Sequence, residues 1–100
     1  MIVITQLIYL VEGQGQLFDE FESMAIPLIS KNNGRLLLRV RPTENDFIEF
    51  HMDKPYEIHL VEFETQQDLD KFMQDEERKK FLHLKDQSVH TSVLIKGVKL

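Results

Sequence analysis

The stretch YEIHLVEFE, Tyr56–Glu64, decides the fold. Ile58 and Leu60 fall on one side of an extended chain, and His59, Val61 and Phe63 on the other. A strand with one buried face alternates apolar and polar residues. This one is apolar on both sides, so each face needs a cover.

The flanking segments supply the first cover. Ile2–Val11 is rich in β-branched residues and reads as a strand, closed by Gly13 and Gly15. In Gln16–Lys31, Leu17, Phe21, Met24 and Leu28 recur at helical spacing. Asp19, Glu20 and Glu22 lie early in that helix, where acids favour its dipole, and Pro27 should kink it. Asn32-Asn33-Gly34 ends it, with Gly34 expected in the left-handed position after the last turn. Arg35–Arg41, RLLLRVR, is a second strand closed by Pro42. Thr43–Pro55 is long for a connection and holds Phe47, Ile48, Phe50 and Met52, which predicts a flap or short strand packed on something.

Beyond the opening stretch, Thr65 with Asp68 three residues on forms a helix-start signal. Leu69, Phe72 and Met73 make the buried stripe of a short helix. The mixed run Asp75–Lys80 reads as a charge-paired helix surface, and Phe81, Leu82 and Leu84 open a further helical segment. Ser88–Lys96 alternates as a last strand, ended by Gly97. The order β-α-β-β-α-β is the ferredoxin-like arrangement, an α+β fold. It places a four-stranded antiparallel sheet under helices on one face, in a single domain spanning residues 1–100.

The helices cannot cover the other face, where Leu7, Leu37, Ile58, Leu60 and Leu94 are expected. A contiguous apolar face of that kind predicts a homodimer formed through the helix-free side of the sheet. A hairpin of the second and third strands sets Arg35 near Glu62 and Arg39 near Ile58. With Thr5 and Tyr9 from the first strand and His90 and Ser92 from the last, the enclosed face becomes an apolar cavity with a few polar groups. That is the usual make-up of a small-molecule site. The candidate ligand-binding set is Thr5, Tyr9, Leu37, Arg39, Ile58, Leu60, Glu62, His90 and Ser92. Glu62 and His90 are the catalytic candidates, since burial would shift either toward acid–base work. Each has a structural alternative: Arg35–Glu62 as an edge salt bridge, Arg39 paired with a carboxylate across the dimer, His90 simply solvated. His59 reads as a satisfied core histidine, and His51 and His83 as exposed.

Composition narrows the function. The chain is 42% apolar and 29% charged with no cysteine, which excludes disulfides, thiolate metal sites and a cysteine nucleophile. A net charge of −5 weighs against a nucleic-acid partner. RNA-binding modules share the element order, but the third strand here is acidic and lacks their basic aromatic motif. His59-x-x-Glu62 is no metal motif, because residues three apart on a strand point to opposite faces, and no metal or cofactor is expected. No apolar run is long enough to span a membrane, and MIVITQLIYL has no basic leader, so a cytoplasmic location is expected.

Gly34-Arg35-Leu36-Leu37-Leu38-Arg39 resembles the G-R-aromatic/aliphatic-L-V-R segment of a small uncharacterised bacterial family in the dimeric α+β barrel superfamily. Pro27 in the preceding helix, Glu62-Phe63 and Leu94-Ile95-Lys96-Gly97 are similar as well. Val40 departs from that family's glycine, and the Thr43–Pro55 loop is this chain's own. The superfamily is related to antibiotic-biosynthesis monooxygenase-like proteins. The resemblance implies homodimers whose sheets enclose a barrel, with ligand sites inside it or between sheet and helices. It carries no haem-ligand or monooxygenase motif. The expectation is a homodimeric small-molecule-binding protein, in its enzymatic form a cofactor-free monooxygenase or isomerase acting on a small apolar or anionic compound. The alternative is a non-catalytic structural or regulatory dimerisation module.

Overall fold

The computed structural model describes residues 1–100. Its elements run β1 (Ile2–Leu10), α1 (Gly15–Lys31), β2 (Gly34–Val40), β3 (Glu57–Phe63), α2 (Gln66–Met73), α3 (Glu76–Lys79), α4 (Leu82–Ser88) and β4 (Val89–Val98), with a 3₁₀ turn at Glu44–Asp46. The four strands form one antiparallel sheet in the order β2-β3-β1-β4. The expected α+β, ferredoxin-like architecture is present, with the helices on one face. The opening stretch is the inner strand β3, flanked by β2 and β1.

Side chains opposite one another across a ladder share a face. Ile4, Gln6 and Ile8 of β1 and His59, Val61 and Phe63 of β3 meet Phe18, Phe21 and Ile29 of α1. The core centres on Ile29, Val61 and Phe63, with Leu36, Leu69 and Phe72 packed against it. The opposite face carries Thr5, Leu7, Ile58 and Leu60, together with Val93 and Ile95.

Two strand irregularities move residues from where simple alternation puts them. Leu36 opposes Val61 and Leu38 opposes Leu60, so Leu37 is an extra residue. Such a bulge resets the parity of the strand beyond it. Arg39 therefore stands opposite His59 on the helix side, not opposite Ile58 on the open side. In β4, Ser92 opposes Ile8 and Leu94 opposes Gln6, so both belong to the helix-covered side, again contrary to expectation. His90 is the extra residue between the Tyr9–Thr91 and Leu10–Val89 pairs, and it is exposed. The more apolar parity of β4, with Val93 and Ile95, faces the open side, so its composition pointed to the wrong face. The register follows from pairing, fixed at its ends by Val11 N–H to Ser88 O at 2.8 Å and Lys99 N–H to Met1 O at 3.2 Å.

Local readings mostly stand. Thr65 caps α2, its Oγ1 accepting from the Asp68 amide at 3.1 Å and donating to the Asp68 carboxylate at 2.8 Å. At the end of α1, Asn33 rather than Gly34 takes the left-handed conformation, with φ 59°. Gly34 has a different task. A Cβ there would lie 2.6 Å from the Phe63 ring and 2.8 Å from Ile29, so glycine lets the chain enter β2 across the core. The Thr43–Pro55 loop forms no strand. Thr43 and Asp46 cap its 3₁₀ turn, Lys54 stacks on Phe47 and Phe50, and Tyr9 donates its hydroxyl to Asp53 O at 3.0 Å. Ile48 at its tip is 100% exposed.

Candidate active site

The buried ionisable side chains sit beneath the helices. Glu57, the first residue of β3, is 0% exposed. It shares a face with His59, two residues on, and points at α1. Arg39 Nε donates to its Oε2 at 2.9 Å and Arg41 Nε to its Oε1 at 2.6 Å. His59 Nε2 also bonds Oε2. A carboxylate can only accept, so Nε2 carries the proton and Nδ1 is left free. Asp19 of α1 pairs with Arg41 and lies 3.8 Å from Arg39, closing the network from the helix side. Burial alone would raise the Glu57 carboxyl. The three donors outweigh it and hold the group at about 2.

Glu22 is the counterpart. It is 7% exposed on the inner stripe of α1, four residues after Phe18 and three before Ala25. One ligating atom from each of Glu22, Glu57 and His59 lies within 4.8 Å of the others. Glu22 makes no hydrogen bond or ion pair of its own. Burial pushes its carboxyl up, Glu57 adds to the rise, and His59, Arg39 and Arg78 oppose it. Two carboxyls on neighbouring elements are thus driven in opposite directions, one locked as an anion, the other biased toward the neutral acid. That separation marks acid–base pairs. The trio is spaced for a cation, but both Glu57 oxygens are already taken by guanidinium and imidazole N–H groups. Glu22 alone would be a poor ligand beside those guanidinium groups.

Glu22 opens onto two spaces. One is a cleft of about 700 Å³ at the surface, lined by Asp19, Ser23, Pro27, Arg39, Arg41 and Glu57 as well. The other is a cavity of about 100 Å³ between the sheet and the helices. Its apolar wall includes Ile4, Ile8, Phe18, Phe21, Val61 and Phe63. Its polar groups are Gln6, Glu22, His59, Arg78 and Lys85. A small apolar chamber with a few convergent polar groups is the usual form of a ligand site.

The sequence-derived candidates are divided by the sheet. Thr5, Ile58, Leu60 and Glu62 share the open face. Leu37 is the bulged residue of edge strand β2. Tyr9 is tied to the flap by its hydroxyl. Glu62 is buried and pairs with Arg35 at 3.3 Å, as the hairpin reading expected, and lies 3.9 Å from Lys99. Arg39 and Ser92 are on the other side of the sheet, and His90 is exposed at its bulge, so the nine do not form one constellation. The sequence reading missed Glu22, Glu57 and Arg78. Glu57-x-His59 was visible as a same-face pair on a strand, and Glu22 as an acid inside an apolar stripe. Arg78 was hidden in a run read as solvated; it is 8% exposed and lies over the Phe72 ring, 5.2 Å from its centroid, in a cation–π contact.

No family model matches the chain, and no curated protein does. Solved structures match its fold over nearly its whole length. A protein of unknown function from Rhodopseudomonas palustris superposes with a TM-score of 0.82 at 12% identity, covering 99% of this chain and 82% of that one. A protein from Nitrosomonas europaea, named for the antibiotic biosynthesis monooxygenases, gives 0.77 at 9% identity, covering 100% and 99%. A ferredoxin-like DABB-family protein from Mesorhizobium loti gives 0.68 at 16% identity, covering 99% and 96%. The class is therefore a ferredoxin-like α+β domain. At the level of fold, the resemblance read from Gly34–Arg39 holds. No helix is long and apolar enough to cross a membrane.

Proposed function

We propose that this protein binds a small, largely apolar molecule in the cavity between sheet and helices and moves a proton on it through Glu22. The observation that carries the reading is the buried, unbonded Glu22 carboxyl at the cavity wall, beside the His59–Glu57 pair. Glu57 holds the imidazole by Nε2, and Glu22, its carboxyl raised by burial, serves as the proton donor or acceptor. Abstraction of a proton next to a carbonyl leaves an enolate. An isomerase returns the proton at a second carbon; a cofactor-free monooxygenase directs the enolate to dioxygen. The similarity to a structure named for monooxygenases keeps that second reaction in view.

The working unit in this reading is a homodimer. Leu7, Leu37, Ile58, Leu60, Val93 and Ile95 would meet a second copy, and Glu62 would lie at that interface. The molecule is a slab 36 × 34 × 16 Å, so the sheet forms one of its broad sides.

A ligand screen by thermal shift, run on the wild type and Glu22→Gln, tests the site. At least one compound should raise the wild-type midpoint and be turned over, with turnover lost in Glu22→Gln. Binding without any turnover would remove the enzyme. Absence of any ligand, with the dimer intact in analytical ultracentrifugation, would leave a structural or regulatory dimerisation module.

A further inference from the structure

Two cations line the cavity without a salt bridge to any carboxylate. Arg78, from α3, is buried against Phe72, and its Nε has no hydrogen-bond partner. Its one side-chain hydrogen bond is a long 3.4 Å contact from Nη1 to Met73 O. Lys85, from α4, lines the same cavity and makes no salt bridge or hydrogen bond. Arg78 lies close enough to disfavour the charge of Lys85, and burial weakens the charged form of both. Glu22 acts on both through space, Asp75 on Arg78 and Asp86 on Lys85, none of them bonding to either cation. A buried guanidinium with an idle N–H beside an unpaired ammonium is costly in an empty protein. The cost is offset if an anion enters.

Arg39 and Arg41 cannot serve that purpose, because Glu57 and Asp19 already neutralise them. The uncommitted positive charge of this fold face is therefore at Arg78 and Lys85, where the sequence showed only a mixed-charge run. The space around them limits the guest. An engineered apolar cavity of ~150 Å³ accommodates benzene, so a chamber of about 100 Å³ suits a hydrocarbon part on the order of four heavy atoms.

We propose that the cavity is a site for a small monocarboxylate, its carboxylate held by Arg78 and Lys85 and its hydrocarbon part against Phe18, Phe21 and Phe63. This rests on the cavity being the functional site and adds the class of molecule it takes. A carboxylate anchored there presents its α-carbon within the chamber that Glu22 also lines.

The test uses butyrate and its neutral isostere butyramide, titrated into the intact protein by ¹H–¹⁵N NMR at matched sodium concentration. Butyrate should shift the amides of cavity residues and bind at least tenfold more tightly than butyramide. Arg78→Met and Lys85→Met should each weaken butyrate at least tenfold and leave butyramide unchanged. Equal binding of the two probes would overturn the carboxylate assignment while leaving the cavity as a site for neutral molecules. Butyrate binding that neither variant weakens would place the anion elsewhere and also overturn it. If neither probe binds but the screen yields a neutral ligand sensitive to Glu22→Gln, the assignment falls and the site stands; if nothing binds at all, both fall. The butyrate–butyramide comparison needs only the wild type, and Lys85→Met, at a less buried position, covers a failure of Arg78→Met to fold.

Discussion

The two faces of the sheet invert the ordinary distribution of polarity. The helix-covered face contains Glu57, His59, Glu22 and Arg78, all buried. The uncovered face carries Leu38, Val40, Val93 and Ile95, each exposed. Burying polar groups costs free energy unless they are paired, and exposing apolar ones forfeits the gain from burial. The covered face meets its cost by pairing where it can: Glu57 has three donors. Glu22 and Arg78 are left unpaired, and they are the groups that the proposed reading puts to work. The open face has no such internal remedy; in the proposed homodimer a second copy covers it. The proposed site and the proposed assembly are thus separated by the thickness of one sheet.

The largest effect should come from breaking the paired side. Glu57→Ala leaves Arg39, Arg41 and His59 facing an empty acceptor position, and should cost about 3–5 kcal/mol in urea unfolding. A loss below ~1 kcal/mol would mean that the network stabilises little.

Next is the open side. Leu60→Glu puts a charge at its centre and should turn a dimer into a monomer in analytical ultracentrifugation without lowering the helical signal in circular dichroism. A wild type that sediments as a monomer at micromolar concentration would remove the dimer altogether.

A smaller loss is expected where the chain crosses from helix to sheet. Gly34→Ala forces a methyl against Phe63 and Ile29, and should cost about 1–3 kcal/mol by overpacking. An unchanged denaturation midpoint would show that the Phe63 ring can yield.

The subtlest comparison is between the two carboxyls, by pH. The folded Glu57 group sits at about 2, below its ordinary 4.5. Its stabilisation is present above pH 4.5 and is lost as pH falls toward 2. Glu22 is raised, so its contribution has the opposite sign: it is present below pH 4.5 and fades as pH rises through the folded value. Glu22→Gln, which mimics the neutral acid, should flatten the alkaline side of the stability profile and leave the acid limb in place. If the variant's profile parallels the wild type above pH 4.5, Glu22 is an ordinary carboxylate.

Much of the fold was readable because its signals are local. Tyr56–Glu64 announced an inner strand, Thr65 and Asp68 a helix start, and the spacing of Leu17, Phe21 and Leu28 an amphipathic helix. The Arg35–Glu62 pair followed from hairpin register. The site was less readable. Asp19 and Glu22 looked like dipole-complementing acids near a helix start, yet Asp19 pairs with Arg41 and Glu22 turns inward. Asp75–Lys80 looked like a solvated face, yet Asp75 caps α3 and binds Asn32 and Lys31, while Arg78 turns into the cavity.

By itself, the sequence determined the element order, the fold class and the presence of apolar residues on both faces of the sheet. Periodicity and capping are properties of neighbouring residues, and they survive any arrangement in space. Only the tertiary structure decided which face each arginine serves. One extra residue, Leu37, reverses strand parity and sends Arg39 through to Glu57, while the packing of α3 against α1 turns Arg78 inward. Those outcomes depend on contacts between segments far apart in the chain, where no local pattern reaches.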